Sequence, residues 1–232
     1  MKKVVYDIRR GLSEPTFFIS IGVTFLIMII SAIYYFQTEE LFLSDDLFKT
    51  IQSLILPFIA PLIVCLPYST ISMLEKDSGY KKLILNRINK FEYIIIRFIS
   101  VAIVGGLTLV IPLIILMVSC FFISPYENLE SILGVILLDF GFGASYAIFG
   151  YGLTFVNDKR YIPIIAPQVG YLLLTYALPY LDLTQYYPPL AYSPWLLSSY
   201  ADLNAILTQF IILIMLGAVF IVYDLIKETI SI

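Results

Sequence analysis

Six stretches of this chain are each long and apolar enough to cross a lipid bilayer as a helix. The hydrocarbon core of a bilayer is about 30 Å thick, so a spanning helix needs about 20 residues. Helices suit this environment because they satisfy their backbone hydrogen bonds internally. The sequence therefore predicts an all-α integral membrane domain over residues 1–232, with six transmembrane helices at residues 17–36, 50–73, 93–122, 132–156, 161–180 and 205–223.

The composition agrees with a membrane protein. Hydrophobic residues make up 60% of the chain and charged residues 13%, whereas a soluble domain is about 45–50% apolar. A water-soluble fold of this size could not bury so many apolar side chains. The second and fifth stretches contain several prolines, which predict kinks in helices that continue through them.

Missing residue types exclude several classes of enzyme. The chain has no histidine, which excludes Ser–His–Asp hydrolysis, Cys–His proteolysis and histidine-ligated zinc. Cys65 and Cys120 lie in apolar stretches without metal-ligand spacing. There is no G-x-x-x-x-G-K-[ST] phosphate-binding loop, and the net charge of −3 argues against a nucleic-acid partner. We predict a chain that is not an enzyme and binds neither a cofactor nor a metal of its own.

The basic residues predict the orientation. If the N-terminus is cytoplasmic, every one of the 14 lysines and arginines except Lys49 falls on the cytoplasmic side of the six helices. Cytoplasmic loops are enriched in lysine and arginine, so this asymmetry favours both the direction and the number of helices. We expect a multi-pass protein of the cell membrane with both termini in the cytoplasm.

Residues 1–14 have the pattern of an amphipathic helix at the inner membrane interface. Val4, Val5, Ile8 and Leu12 share one face with Met1. The opposite face carries the basic residues Lys2, Lys3, Arg9 and Arg10, together with Tyr6 and Asp7. Such a helix serves either as a topological anchor or as an anchor that also contacts a cytoplasmic partner.

The inner loop between the second and third stretches predicts a short helix over residues 78–90. Asp77 or Ser78 is a suitable cap for its first turn. One side of this helix is apolar and includes Tyr80 and Leu83. The five basic residues of the loop either set the topology alone or belong to a helix that docks on a partner.

The outer segment, residues 181–204, has no lysine or arginine and is rich in aromatic and proline residues. Aromatic rings favour the boundary between lipid and water. The segment is therefore either an aromatic belt with a loop or an apolar re-entrant gate that closes a pathway. The residues assigned to this gate are Tyr186, Tyr187, Tyr192 and Trp195.

Charged residues within the helices are rare. Asp139 is the only acid well inside a predicted helix, and a charge at that depth must face the helix bundle or a water-filled cavity. It either makes a structural polar contact or touches cargo in the pathway. Small residues close to it predict close helix packing. Arg97, near the start of the third helix, is expected to extend its guanidinium towards the inner interface.

The inner loop and the order of the helices resemble those of the membrane permeases of ATP-binding-cassette type-2 exporters. Those permeases carry an acidic–basic pair, then a glycine, a leucine-rich turn and a basic residue entering the third helix. The matching residues are Glu75 with Lys76, Gly79, Leu83 with Leu85, and Arg97. Small permeases of this kind are similar to exporters of membrane-active peptides or to immunity factors against them.

The resemblance implies partners and roles. A second permease, identical or homologous, and two copies of a separate ATPase subunit would complete the transporter, and the ATPase would use ATP and magnesium. Residues 78–90 would form the coupling helix that rests on the ATPase. The residues implied in coupling are Glu75, Lys76, Gly79, Tyr80, Leu83 and Arg87. The cargo would be apolar or amphipathic, with a peptide favoured over a lipid or a drug.

Three other functions stay open from the sequence. A secondary, ion-coupled transporter would be favoured by inverted repeats, which this chain lacks. A non-transporting assembly or sensor subunit would need no polar pathway. A membrane-embedded aspartyl enzyme would need a second carboxylate beside Asp139.

Overall fold

The computed structural model describes residues 2–38, 43–86, 88–156, 159 and 161–230. Within these ranges the regular elements are all helical, and two 3₁₀ turns, Thr184–Tyr186 and Ser198–Tyr200, lie in the outer segment. The α-helices are α1 Lys2–Leu12, α2 Pro15–Thr38, α3 Ser44–Leu54, α4 Leu56–Asp77, α5 Tyr80–Leu85, α6 Lys90–Phe121, α7 Leu129–Val156, α8 Ile162–Tyr180, α9 Pro188–Tyr192 and α10 Leu203–Ile230.

Six of these helices are long and apolar enough to cross a membrane: α2, α4, α6, α7, α8 and α10. The prediction of an all-helical chain with six such helices is confirmed. Helices α4 and α7 are mostly buried, whereas α2, α8 and α10 leave most of their apolar surface exposed. This division fits a bundle in which α4 and α7 form the centre, whereas α2, α8 and α10 face lipid.

The second apolar stretch differs from its predicted form. It contains two helices rather than one, because α3 ends at Leu54 and α4 begins at Leu56. Pro57 lies in the first turn of α4, where its missing N–H has no intrahelical partner to lose. This proline therefore begins a helix instead of kinking one, whereas Pro61 and Pro67 do lie inside α4.

Glycines bring the central helices into backbone contact. A Cβ atom on Gly143 of α7 would lie 2.6 Å from the carbonyl oxygen of Gly105 of α6. On the other side of α7, a Cβ on Gly152 would lie 2.6 Å from the carbonyl oxygen of Gly217 of α10. Small residues permit this approach between membrane helices. Helix α7 is thus fixed against both neighbours at points where no side chain fits.

A glutamine from α8 binds the backbone of α4 on either side of Pro61. The Gln168 amide nitrogen donates to the Phe58 carbonyl at 2.6 Å, and its amide oxygen accepts from the Leu62 N–H at 3.1 Å. These two backbone groups are the i and i+4 pair of a regular α-helix. Gln168 therefore bridges the turn of α4 that holds Pro61, as expected where a proline weakens the backbone ladder.

Candidate functional site

Two buried residues of opposite charge join the end of α4 to the start of α6. Glu75 is 3% exposed and Arg97 is 2% exposed. One guanidinium nitrogen of Arg97 donates to Glu75 Oε1. Tyr93, one helical turn before Arg97, donates its hydroxyl to Glu75 Oε2 at 3.1 Å and accepts from Arg97 Nε at 3.3 Å. Arg97 is therefore buried, and its charge is paired inside the protein rather than exposed to water.

Helix α1 supplies the remaining charges of this cluster. Arg10 donates to Glu75 Oε1, and Asp7 Oδ1 lies 3.0 Å from Arg97 Nη1 as an ion pair. Tyr68 of α4 donates its hydroxyl to the Asp7 carbonyl at 2.9 Å. Asp7, Arg10, Glu75, Tyr93 and Arg97 are hereafter the charge cluster.

The charge cluster turns part of the polar face of α1 towards α4 and α6. Gly11 permits this contact, since a Cβ there would lie 2.7 Å from the Tyr68 ring. The Arg97 guanidinium lies over two rings, 5.6 Å from the centre of Tyr68 and 5.4 Å from that of Tyr93. Buried charges are tolerated only when they are paired and hydrogen-bonded. The cluster therefore holds α1, α4 and α6 together as one unit.

The turn from α4 to α5 depends on Ser78 and Gly79. Ser78 donates its hydroxyl back to the Leu74 carbonyl at 2.7 Å and is the C-cap residue of α4. Gly79 follows with a φ of 71°, the left-handed conformation that glycine adopts most easily after a helix. The loop helix α5 consequently begins at Tyr80, and it ends at Leu85, so it is shorter than the predicted 78–90.

Helix α5 carries exposed apolar side chains. Leu83 is 62% exposed and Tyr80 is 47% exposed, with the Arg10 guanidinium 5.7 Å from the Tyr80 ring centre. Cavities of about 430 and 380 Å³ lie on two sides of α5 and share Tyr80 and Leu83 in their walls. Lys76 is turned away, since its amine donates to the Thr154 carbonyl of α7 at 3.4 Å. Arg87, predicted to act in coupling, lies outside the described residues.

A second polar site, separate from the charge cluster, lies where α3, α7 and α9 meet. Asp139 is fully buried. The Gln52 amide nitrogen donates to Asp139 Oδ2 at 3.1 Å and to the Tyr192 carbonyl at 2.8 Å. Gln52 therefore joins α3, α7 and α9 through one side chain. Among the residues that the structure describes, Asp139 Oδ1 and Gln52 Oε1 have no hydrogen-bond partner.

Of the aromatic residues assigned to the gate, Tyr192 contacts this polar site, through its carbonyl oxygen. Tyr192 is buried and packs edge-on against Phe142 with ring centres 5.3 Å apart. Trp195 is partly exposed and packs edge-on against Phe48. Tyr186 and Tyr187 are also partly exposed, and burial raises the pKa of Tyr187, with Tyr176 adding to the effect.

We expect the hydrogen bond of Asp139, rather than its charge, to stabilise the fold. Asp139→Asn keeps an oxygen that accepts from Gln52 and should leave the unfolding free energy within about 1 kcal/mol of the wild type. Asp139→Leu leaves that amide short of an acceptor and should cost about 1–3 kcal/mol. Denaturant unfolding in detergent, followed by circular dichroism, measures both. Equal losses for the two variants would contradict this role.

Sequence reasoning missed Asp7, Tyr93, Gln52 and Gln168 as partners of the functional residues. The sequence did indicate that such partners exist, because a charged or amide side chain in an apolar helix requires a polar partner. Across the described ranges no group of three or more His, Cys, Asp or Glu residues could hold a metal ion. Both polar sites join helices through hydrogen bonds between side chains.

Comparison with protein-family models, curated proteins and solved structures gives no match to this chain.

Proposed function

We propose that this chain is the membrane-spanning permease subunit of an ATP-driven ABC exporter. It works with two copies of a separate ATPase and with a second permease, and it lies in the cell membrane with both termini in the cytoplasm. One observation supports this proposal above all. The short helix α5, between two membrane-length helices, exposes Leu83 and Tyr80 next to the buried charge cluster.

An ATPase that changes the conformation of a permease needs a docking surface on it and a rigid connection from that surface to the membrane helices. Helix α5 supplies the surface, since the removal of Leu83 and Tyr80 from water would favour association. The charge cluster supplies the connection, because Glu75 lies only a few residues before α5 and binds α1 and α6 together. Movement of α5 is then transmitted to α4 and α6. Gly79 forms the turn between α4 and α5.

Cargo leaves at the opposite end of the bundle in this mechanism. Helix α9 is buried there and is held by the bond from Gln52 to the Tyr192 carbonyl. Alternating access requires α9 and its neighbours to move when the ATPase closes. Aromatic walls with few charges suit an apolar or amphipathic cargo, and we favour a peptide over a lipid or a drug. The chain contributes the pathway, and the ATPase contributes ATP hydrolysis with magnesium.

Copurification tests this function. Tagged wild-type chain should retain an ATPase subunit with a G-x-x-x-x-G-K-[ST] sequence. Leu83→Ser should weaken that association about tenfold or more, because burial of a leucine contributes about 1.5–3 kcal/mol. The matched control is Leu129→Ser, since Leu129 is 47% exposed at the start of α7 and lies on the other side of the membrane in the proposed topology. Equal loss in both variants, or no ATPase with the wild type, would contradict the proposal.

A further inference from the structure

A cavity of about 420 Å³ lies between α1, α5 and the first turns of α6. Its walls combine three chemistries. Lys2 and Lys3 supply exposed ammonium groups, Tyr6 and Tyr80 supply phenol rings, and branched aliphatic side chains include Ile84 and Ile96. A purely apolar pocket would not need the ammonium groups, and a site for a free ion would not need the aliphatic side chains. Their combination resembles the boundary between the headgroups and the acyl chains of a bilayer.

The charged side chains that line this cavity, counted together with the described carboxylates that pair with them, leave one positive charge in excess. Arg97 and Arg10 are balanced by Asp7 and Glu75 within the charge cluster. Lys3 pairs with Glu92 at 2.8 Å, and both side chains are about half exposed. Lys2 also lines the cavity, and it makes no ion pair with any residue that the structure describes. A ligand with a single negative charge therefore neutralises the site without breaking a buried pair.

We propose that this cavity binds the headgroup of an anionic phospholipid. The phosphate lies between Lys2 and Lys3, and the polar end of the headgroup packs against Tyr6 and Tyr80. The first methylenes of the acyl chains follow Ile84 and Ile96. The cavity holds a headgroup and the start of the chains, so the rest of the lipid stays in the bilayer. Basic pockets between helices at the cytoplasmic surface are known to select such lipids.

The bound lipid would connect α1 to α5, which otherwise has cavities on its other sides. Its presence would thereby limit how far α5 moves relative to α6. This inference requires only that α6 crosses a membrane with its N-terminal end at the surface. It does not depend on an ATPase partner, so either proposal can fail while the other stands.

Native mass spectrometry of the full chain in neutral detergent tests the site. The probes are dioctanoyl phosphatidylglycerol, dioctanoyl phosphatidylcholine and inorganic phosphate. Phosphatidylglycerol should bind at least tenfold more tightly than phosphatidylcholine, and millimolar phosphate should not displace it. Lys2→Gln should weaken phosphatidylglycerol binding about fivefold, since each basic residue near an anionic lipid contributes about 1 kcal/mol.

Two further variants separate the cavity from general electrostatics. Lys49→Gln removes an equal charge at the distant end of the bundle, beside Trp195, and should leave the binding unchanged. Ile84→Trp fills the cavity with every charge retained and should weaken binding at least tenfold. Circular dichroism confirms that each variant is folded. Equal affinity for the two lipids, displacement by phosphate, or unchanged binding by Lys2→Gln would overturn the assignment.

Discussion

Arg97→Met should lower the free energy of unfolding by about 3–5 kcal/mol, one of the two largest effects that we expect from a single substitution. Methionine fills part of the same space but leaves Asp7 and Glu75 without their shared cation. Removing one partner from a buried ion pair leaves an uncompensated charge, which costs about this much. The pair is buried on both sides, with Arg97 and Glu75 side chains each 3% exposed. Water therefore cannot replace the lost partner.

Lys3→Met is the matched control for this loss. It breaks the ion pair with Glu92, in which the side chains are 55% and 48% exposed. Exposed pairs contribute about 1 kcal/mol or less, so the control should change stability only slightly. Denaturant unfolding in detergent micelles, followed by circular dichroism, compares the two variants with the wild type. Similar losses for Arg97→Met and Lys3→Met would show that the charge cluster does not stabilise the fold.

The second large effect is expected from Gly143→Ala. The added methyl group would meet the Gly105 backbone, with the carbonyl oxygen only 2.6 Å from the new Cβ. Backbone cannot move aside as a flexible side chain can, so α6 and α7 must separate. Overpacking of this kind costs about 1–3 kcal/mol or more, and small residues are what permit close contact between membrane helices. Because α7 is the central helix, we expect the loss at the upper end of that range.

Gly134→Ala on the same helix provides the control, because nothing lies within 4 Å of a Cβ built there. Alanine has a higher helix propensity than glycine by about 1 kcal/mol, so this variant should be neutral or slightly stabilising. The two substitutions are chemically identical and differ only in their neighbours. Thermal unfolding of both proteins in the same detergent gives the comparison. A Gly143→Ala protein as stable as Gly134→Ala would exclude the close contact between α6 and α7.

The six membrane helices were predictable from sequence because hydrophobic length is a local property. The length and hydrophobicity of each apolar stretch predict a helix there, whatever the rest of the chain contains. The break at Ile55 was harder, because Pro57 inside an apolar stretch fits either a kink or a helix start. The choice depends on tertiary contacts, since α3 packs against α2 and α6 as well as against α4.

The contacts of the two polar sites could not be predicted in the same way. Arg97 and Glu75 were both noted as features of the loop region, but Asp7, which pairs with Arg97, and Arg10, which pairs with Glu75, lie about 65 to 90 residues earlier in the chain. Gln168 and Gln52 likewise bind groups that only the folded bundle brings near. Such pairings depend on tertiary structure, which one sequence does not specify by local pattern. The rule that buried charges need partners indicates that pairs exist and leaves their identity open.

The most direct test of the proposed permease function is cross-linking from position 83 in living cells. A photoreactive amino acid replaces Leu83, and a second protein carries it at Leu129 as the control. The account predicts that position 83 cross-links to a polypeptide with a G-x-x-x-x-G-K-[ST] sequence, identified by peptide mass spectrometry, and that position 129 does not. Cross-links from position 83 to lipid alone, with no ATPase recovered, would contradict it.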